Sequence, residues 1–71
     1  MPLFEVAIFN SAVRELVEAG ERHPQYKDDW ADMHYIEYEA RDENDARSRS
    51  NSRHPPNQGF VITDVSPVGK K

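Results

Sequence analysis

The sequence has 71 residues, no cysteine and a formal net charge of −4, with 37% hydrophobic and 31% charged residues. This length allows one small domain, and the absence of cysteine excludes disulfides as a support for its thin core. The longest apolar runs, at residues 6–9 and 60–62, are far shorter than the roughly 18 to 20 residues that span a bilayer. Because the start also lacks a basic signal segment, we expect a cytoplasmic protein with no membrane contact.

Charge is distributed unevenly along the chain. Residues 28–45 carry one cationic and eight anionic side chains, a net charge of −7, whereas residues 46–71 carry five cationic and one anionic side chain, a net charge of +4. An acidic middle repels phosphate, which argues against nucleic-acid binding by the domain as a whole. The basic last third is the part suited to a phosphate or an acidic protein surface.

The first third of the chain reads as a strand followed by a helix. Apolar alternation at residues 3–9 predicts a strand, and because both of its faces are largely apolar we expect it in the centre of a sheet. An amphipathic helix follows, with Asn10 or Ser11 as its N-cap. This helix either ends at Gly20 or continues to residue 22.

A long loop separates this helix from the second strand. Residues 23–32 show no apolar period, and burial of Trp30 is the expected way of pinning them to the fold. Alternation resumes at residues 33–40, where we take the face that carries Ile36 as the inward one.

A second helix and a third strand complete the chain. Asp42 is the expected N-cap of this helix. No apolar residue follows Ala46, and a small residue such as Ser50 is one of the few able to lie on a core, so the helix should be short, frayed or packed by one turn only. Prolines end it, and residues 60–65 form a strand rich in β-branched side chains.

The order strand, helix, strand, helix, strand predicts a small α+β sandwich, in which two helices lie on one face of a three-stranded sheet. We expect residues 1–66 to form this single domain and residues 67–71 a flexible C-terminal tail. Strand direction stays open. The strands are parallel if each helix makes a crossover, and one is antiparallel if the long loop brings the chain back.

The sequence shows no catalytic apparatus, since it lacks a cysteine nucleophile, a Gly-x-Ser-x-Gly turn and a glycine-rich phosphate loop. A chain this short also has little room for a pocket of about 300 Å³. The densest set of possible metal ligands lies at residues 28–34. Its spacing matches neither the calcium-loop nor the helical zinc motif, so we interpret this segment as a solvated acidic loop. We therefore expect no enzyme activity, no small-molecule substrate, no cofactor and no metal. A weak metal or enzyme site formed by Asp28, Asp29, Asp32 and His34 is a third hypothesis, behind the two given at the end of this section.

Trp30, Met33 and Tyr35 are the candidate interface residues. If the Ile36 face is covered by helices, Met33 and Tyr35 emerge on the helix-free face of the sheet, near Trp30. Aromatic residues and methionine are enriched at protein interfaces, including those of homodimers. The alternative is that Trp30 and Tyr35 fold over the edge of their own core.

A basic patch follows in the second helix. It could bind phosphate or carboxylate groups through charge-assisted hydrogen bonds. We favour the alternative, in which these residues balance the acidic middle or form a solvated helix, because no aromatic residues are interleaved with them. The patch consists of Arg47, Arg49, Arg53 and His54.

We expect a non-catalytic interaction or regulatory module that acts through contacts with another protein or with a second copy of itself. The alternative is an acidic inhibitor or nucleic-acid mimic of the phage type, which binds a basic nucleic-acid-processing protein. Its acidic array would be formed by Asp28, Asp29, Asp32, Glu37, Glu39, Asp42, Glu43 and Asp45.

Overall fold

Three strands and two helices follow one another in the predicted order, and the α+β fold class is confirmed. A computed structural model describes residues 2–68. Two short 3₁₀ helices, Asp28–Ala31 and Pro56–Gln58, lie in the connections before the second and third strands. The main elements are β1 (Leu3–Asn10), α1 (Ser11–Glu18), β2 (His34–Glu39), α2 (Glu43–Arg53) and β3 (Phe60–Pro67).

The strand order of the sheet is β2-β1-β3, so the first strand is the central one, as its apolar faces predicted. Both neighbours run antiparallel to β1, which settles the direction that the sequence left open. β2 and β3 therefore run parallel to each other on opposite sides of β1, and α2 connects them. On the β3 side the register shifts between Ala7 and Ile8, where a bulge leaves Thr63 without a partner.

The inner face of the sheet carries the hydrophobic core. Val6 and Ile8 of β1 are fully buried, and Val6 lies opposite Ile36 on one side and Val65 on the other. The prediction that the Ile36 face points inward is confirmed. Around these residues the core is completed by Phe4, Tyr38, Ala40, Phe60 and Ile62.

Helix α2 covers this face with small side chains. Asp42 is its N-cap, as predicted, and accepts the Asp45 N–H at 2.8 Å. Ala46 and Ser50, four residues apart on one side of the helix, are both fully buried. The helix is therefore packed over more than the one turn expected from its lack of apolar residues, because small side chains let its backbone approach the sheet.

Helix α1 starts where β1 ends. Asn10 is the N-cap rather than Ser11, and its side chain accepts a first-turn N–H at 3.0 Å. Gly20 adopts a φ of +75°, so the earlier of the two predicted ends is the observed one. The helix lies beside the first 3₁₀ helix, where Arg14 Nε donates to the carbonyl oxygen of Ala31 at 2.8 Å.

β3 runs two residues beyond the predicted strand, to Pro67. The Val68 N–H also donates to the carbonyl oxygen of Leu3 at 2.9 Å, so the first two residues of the predicted tail lie along the sheet. Residues 69–71 of that tail lie outside the described residues. Proline is tolerated here because β3 is an edge strand. Between residues 2 and 68, neither helix combines the length and the apolar character that crossing a bilayer requires.

Candidate interaction surfaces

The outer face of the sheet, opposite α2, carries a prominent exposed aromatic side chain. Tyr35 is 65% exposed, and Leu3 and Val61 at opposite ends of the face are also exposed. Met33 reaches across to β3, where its Sδ lies 3.4 Å from Oγ1 of Thr63. Met33 and Tyr35 therefore share this outer face, as the alternation of the second strand predicted. Arg14 of α1 also reaches it, with its guanidinium 3.8 Å from the centre of the Phe9 ring.

Carboxylates occupy most of the remaining positions on the outer face. Glu5 and Glu37 are direct partners in the β1–β2 register, and Glu39 and Asp64 lie on the same side of the sheet. Both ion pairs found between residues 2 and 68 are made by Asp45 of α2, so within that range these four carboxylates have no cationic partner. Because like charges directly opposite one another on a sheet repel, this face favours a cationic ligand.

The placement of Trp30 beside Met33 and Tyr35 is wrong. Its ring lies on the inner side of the sheet, edge-on to Phe60 with the ring centroids 5.1 Å apart, and packs against the core. The alternative, in which Trp30 folds over the edge of the domain's own core, describes its position. Strand alternation could not place this residue because it belongs to the 3₁₀ helix Asp28–Ala31.

Two histidines that are distant in sequence meet at Trp30. The centroids of the His34 and His54 rings lie 4.2 Å and 5.1 Å from that of the indole. Burial, together with the nearby charges of Arg53 and His34, holds the pKa of His54 below its ordinary value. His54 is therefore mainly neutral at pH 7. The spacing of the histidines gave no signal for this cluster.

The acidic loop and His34 do not assemble as metal ligands. Nε2 of His34 lies 2.9 Å from the backbone carbonyl oxygen of Asp29, not from a carboxylate. Among residues 2–68, no group of three or more His, Asp or Glu side chains is placed to hold a metal ion.

The eight residues of the predicted acidic array are divided among separate places. Asp28 and Asp29 lie in the first turn of a 3₁₀ helix and Asp32 is its C-cap, Glu37 and Glu39 lie on β2, and the last three are the N-cap and first turn of α2. Asp45 in that turn is already engaged. The backbone N–H of Arg41 donates to it at 3.0 Å and, with the Arg49 guanidinium, holds the pKa of this carboxyl below its ordinary value.

The basic patch is divided as well, and part of it borders a groove between β2 and the C-terminal half of α2. This β2–α2 groove has a volume of about 690 Å³, larger than the short length of the chain led us to expect, because it is open to solvent along the edge of β2. Arg49, Arg53 and His54 line it, whereas Arg47 is exposed elsewhere on the helix. The rest of its lining consists of Leu3, Ile36, Glu37, Tyr38, Glu39 and Ser52.

Comparison of the chain with protein-family models, with curated proteins and with solved structures gives no match.

Proposed function

We propose that the protein is a non-catalytic interaction module that binds another protein through the outer face of its sheet. The observation that carries the proposal is the exposure of Tyr35 on the outer face of the edge strand β2, beside carboxylates that have no ion-pair partner between residues 2 and 68. An exposed aromatic ring is a common anchor in protein interfaces. A charged rim adds specificity and speeds association.

The charge of this face favours a basic partner over a second copy of the chain. A symmetric dimer brings the same patch of both copies together. Through the outer face, such a dimer would place Glu5, Glu37, Glu39 and Asp64 of one copy close to the same carboxylates of the other. A partner with lysine or arginine around an apolar centre would instead relieve the repulsion between Glu5 and Glu37.

The narrower alternative, a mimic that binds a nucleic-acid-processing protein, remains a prediction. It is compatible with the same acidic face, because such partners are basic. The face that supports it differs from the predicted array, since Glu5 and Asp64 join Glu37 and Glu39.

The proposal is tested with a labelled synthetic peptide in which lysine and valine alternate. Fluorescence anisotropy should show binding that weakens as salt rises from about 0.05 to 0.5 M. The variant Glu5→Gln with Glu37→Gln should weaken binding about two- to tenfold. The matched control is Glu15→Gln with Glu18→Gln, which removes the same charge from α1 and should change binding less than twofold.

Equal loss in the two double variants would mean that the peptide responds to net charge, and it would overturn the assignment to the outer face. Light scattering at several concentrations is the second arm. We expect a monomer; a dimer that is lost in Tyr35→Asp would show that the face serves self-association instead.

A further inference from the structure

The edge of β2 offers a site that the proposed function does not use. β2 pairs with β1 only, within the part of the chain that the structure describes. Alternate backbone N–H and C=O groups of an edge strand point away from the sheet and are free to pair with an added strand. Six residues of β2 extend over roughly 20 Å, enough for a peptide segment of similar length.

The other edge of the sheet is protected against strand addition. β3 contains Pro67, which has no N–H to donate, and its register is interrupted by the bulge at Thr63. Both features are devices that block edge pairing. β2 has neither, so an incoming strand has one favourable edge.

The β2–α2 groove lies along this open edge and selects for charge. Ile36 and Tyr38 contribute apolar lining, and Arg49, Arg53 and His54 form the wall from α2. Arg49 is paired with Asp45 at 3.2 Å, whereas Arg53 makes no ion pair within residues 2–68.

We infer that the β2 edge and the β2–α2 groove bind an extended segment of another protein that carries acidic side chains at alternate positions. Side chains of an added strand alternate between the two faces of the sheet. Those on the inner side would meet Arg53 and Arg49, and a carboxylate there would form charge-assisted hydrogen bonds. Those on the outer side would lie beside Glu37 and Glu39, where neutral or basic residues fit.

A second copy of the chain is a poor occupant of this edge. Pairing of β2 with β2 of another copy would bring Glu37 and Glu39 of both copies together on the outer face. It would also bring the arginines of both α2 helices to the same side. Like charges directly opposite one another in a sheet are destabilising.

The probe is a labelled eight-residue peptide of valine and threonine with aspartate at positions three and five. We expect it to bind, and we expect Arg53→Gln and Arg53→Glu to weaken binding about tenfold or more. The matched control is Arg47→Glu, an exposed arginine of the same helix outside the groove, which should change affinity less than twofold. Circular dichroism melting checks that each variant is folded.

Two control peptides test strand addition. Asparagine in place of both aspartates, or proline at position four, should abolish binding, because the first removes the charge and the second removes a backbone donor. Amide NMR shifts should concentrate on residues 34–39 rather than on β3. The inference is overturned if Arg47→Glu and Arg53→Glu weaken binding equally, if the proline peptide binds as well as the parent, or if the shifts lie on the β3 edge.

This test is separate from that of the outer face. It uses an acidic peptide and α2 variants, whereas the outer-face test uses a basic peptide and variants of Glu5 and Glu37. Failure of one leaves the other unchanged.

Discussion

Gly59 and Asn10 approach each other so closely that position 59 has no room for a side chain. A Cβ built on Gly59 would lie 2.6 Å from Oδ1 of Asn10. This oxygen is the N-cap atom that accepts a hydrogen bond from the Val13 N–H in the first turn of α1. Gly59 also has a φ of +98°, in the left-handed region that glycine adopts without strain. The pair joins the end of β1 to the entry of β3.

Gly59→Ala should therefore destabilise the domain more than Gly20→Ala. Gly20 also has a positive φ, but a Cβ there meets nothing within 4 Å. We expect a cost of about 1 kcal/mol at position 20 and about 2 to 4 kcal/mol at position 59, where a clash adds to the strain. Urea unfolding followed by circular dichroism measures both. Equal costs would show that the contact with Asn10 contributes nothing.

Ser50→Ala should stabilise the protein. The Ser50 hydroxyl is buried without a hydrogen-bond partner among residues 2–68, and the residue is fully buried against the sheet. Removing an unpaired hydroxyl and introducing a better helix former should raise the free energy of unfolding by about 1 to 2 kcal/mol. Ser48→Ala, at an exposed position of the same helix, should give only the propensity gain of about 0.5 kcal/mol. Thermal melting of both variants tests this, and a loss of stability in Ser50→Ala would contradict it.

Truncation should cost much more stability at Trp30 than at Tyr35. Trp30→Ala removes a ring that packs against Phe60, His34 and His54, and should cost about 2 to 4 kcal/mol. Tyr35→Ala removes a ring that is 65% exposed and should change stability by no more than about 1 kcal/mol. Chemical unfolding of both variants should be followed by far-ultraviolet circular dichroism, because Trp30 is the single tryptophan and its removal abolishes the tryptophan fluorescence signal. A greater cost at Tyr35 would reverse the assignment of the two faces.

Stability should fall on mild acidification. The pKa of His54 is lowered in the folded protein by burial and by the charges of Arg53 and His34, so the unfolded chain binds more protons below the ordinary pKa of about 6.5. The contribution of neutral His54 to the free energy of unfolding is fully present above about pH 6.5, and it is lost as the pH falls through the lower pKa of the folded protein. Unfolding curves from Trp30 fluorescence between pH 7.5 and 5 measure the slope. His54→Gln should flatten this slope, and an unchanged slope in that variant would refute the assignment.

Local signals predicted much of the fold. Alternation assigned the two faces of β1 and β2, because in a small antiparallel sheet one face must be buried and the period of two leaves little choice. Side-chain oxygens at Asn10 and Asp42 marked the helix starts, since capping depends on neighbours in sequence. Helix α2 was underestimated, because its contact with the sheet depends on the small size of Ala46 and Ser50 rather than on apolar character.

The candidate surfaces were less predictable. Strand direction and the side of the sheet taken by Trp30 depend on the path of a long loop, which carries no periodic signal. The meeting of His34 with His54, and the lining of the β2–α2 groove, depend on how the end of α2 returns beside β2. The pairing of Glu5 with Glu37 requires a register between two strands that sequence spacing does not provide.

The strand order β2-β1-β3 determines when the sheet can form during synthesis of the chain. Of the three strands, the central strand β1 is synthesised first and its neighbour β3 is synthesised last. Asn10, at the end of β1, donates a hydrogen bond to the carbonyl oxygen of Gln58, 48 residues later. Contacts between such distant segments pay a large loop-closure cost before they form. A nascent chain that ends before residue 60 therefore leaves one side of β1 unpaired, so the sheet closes only after the last strand has left the ribosome.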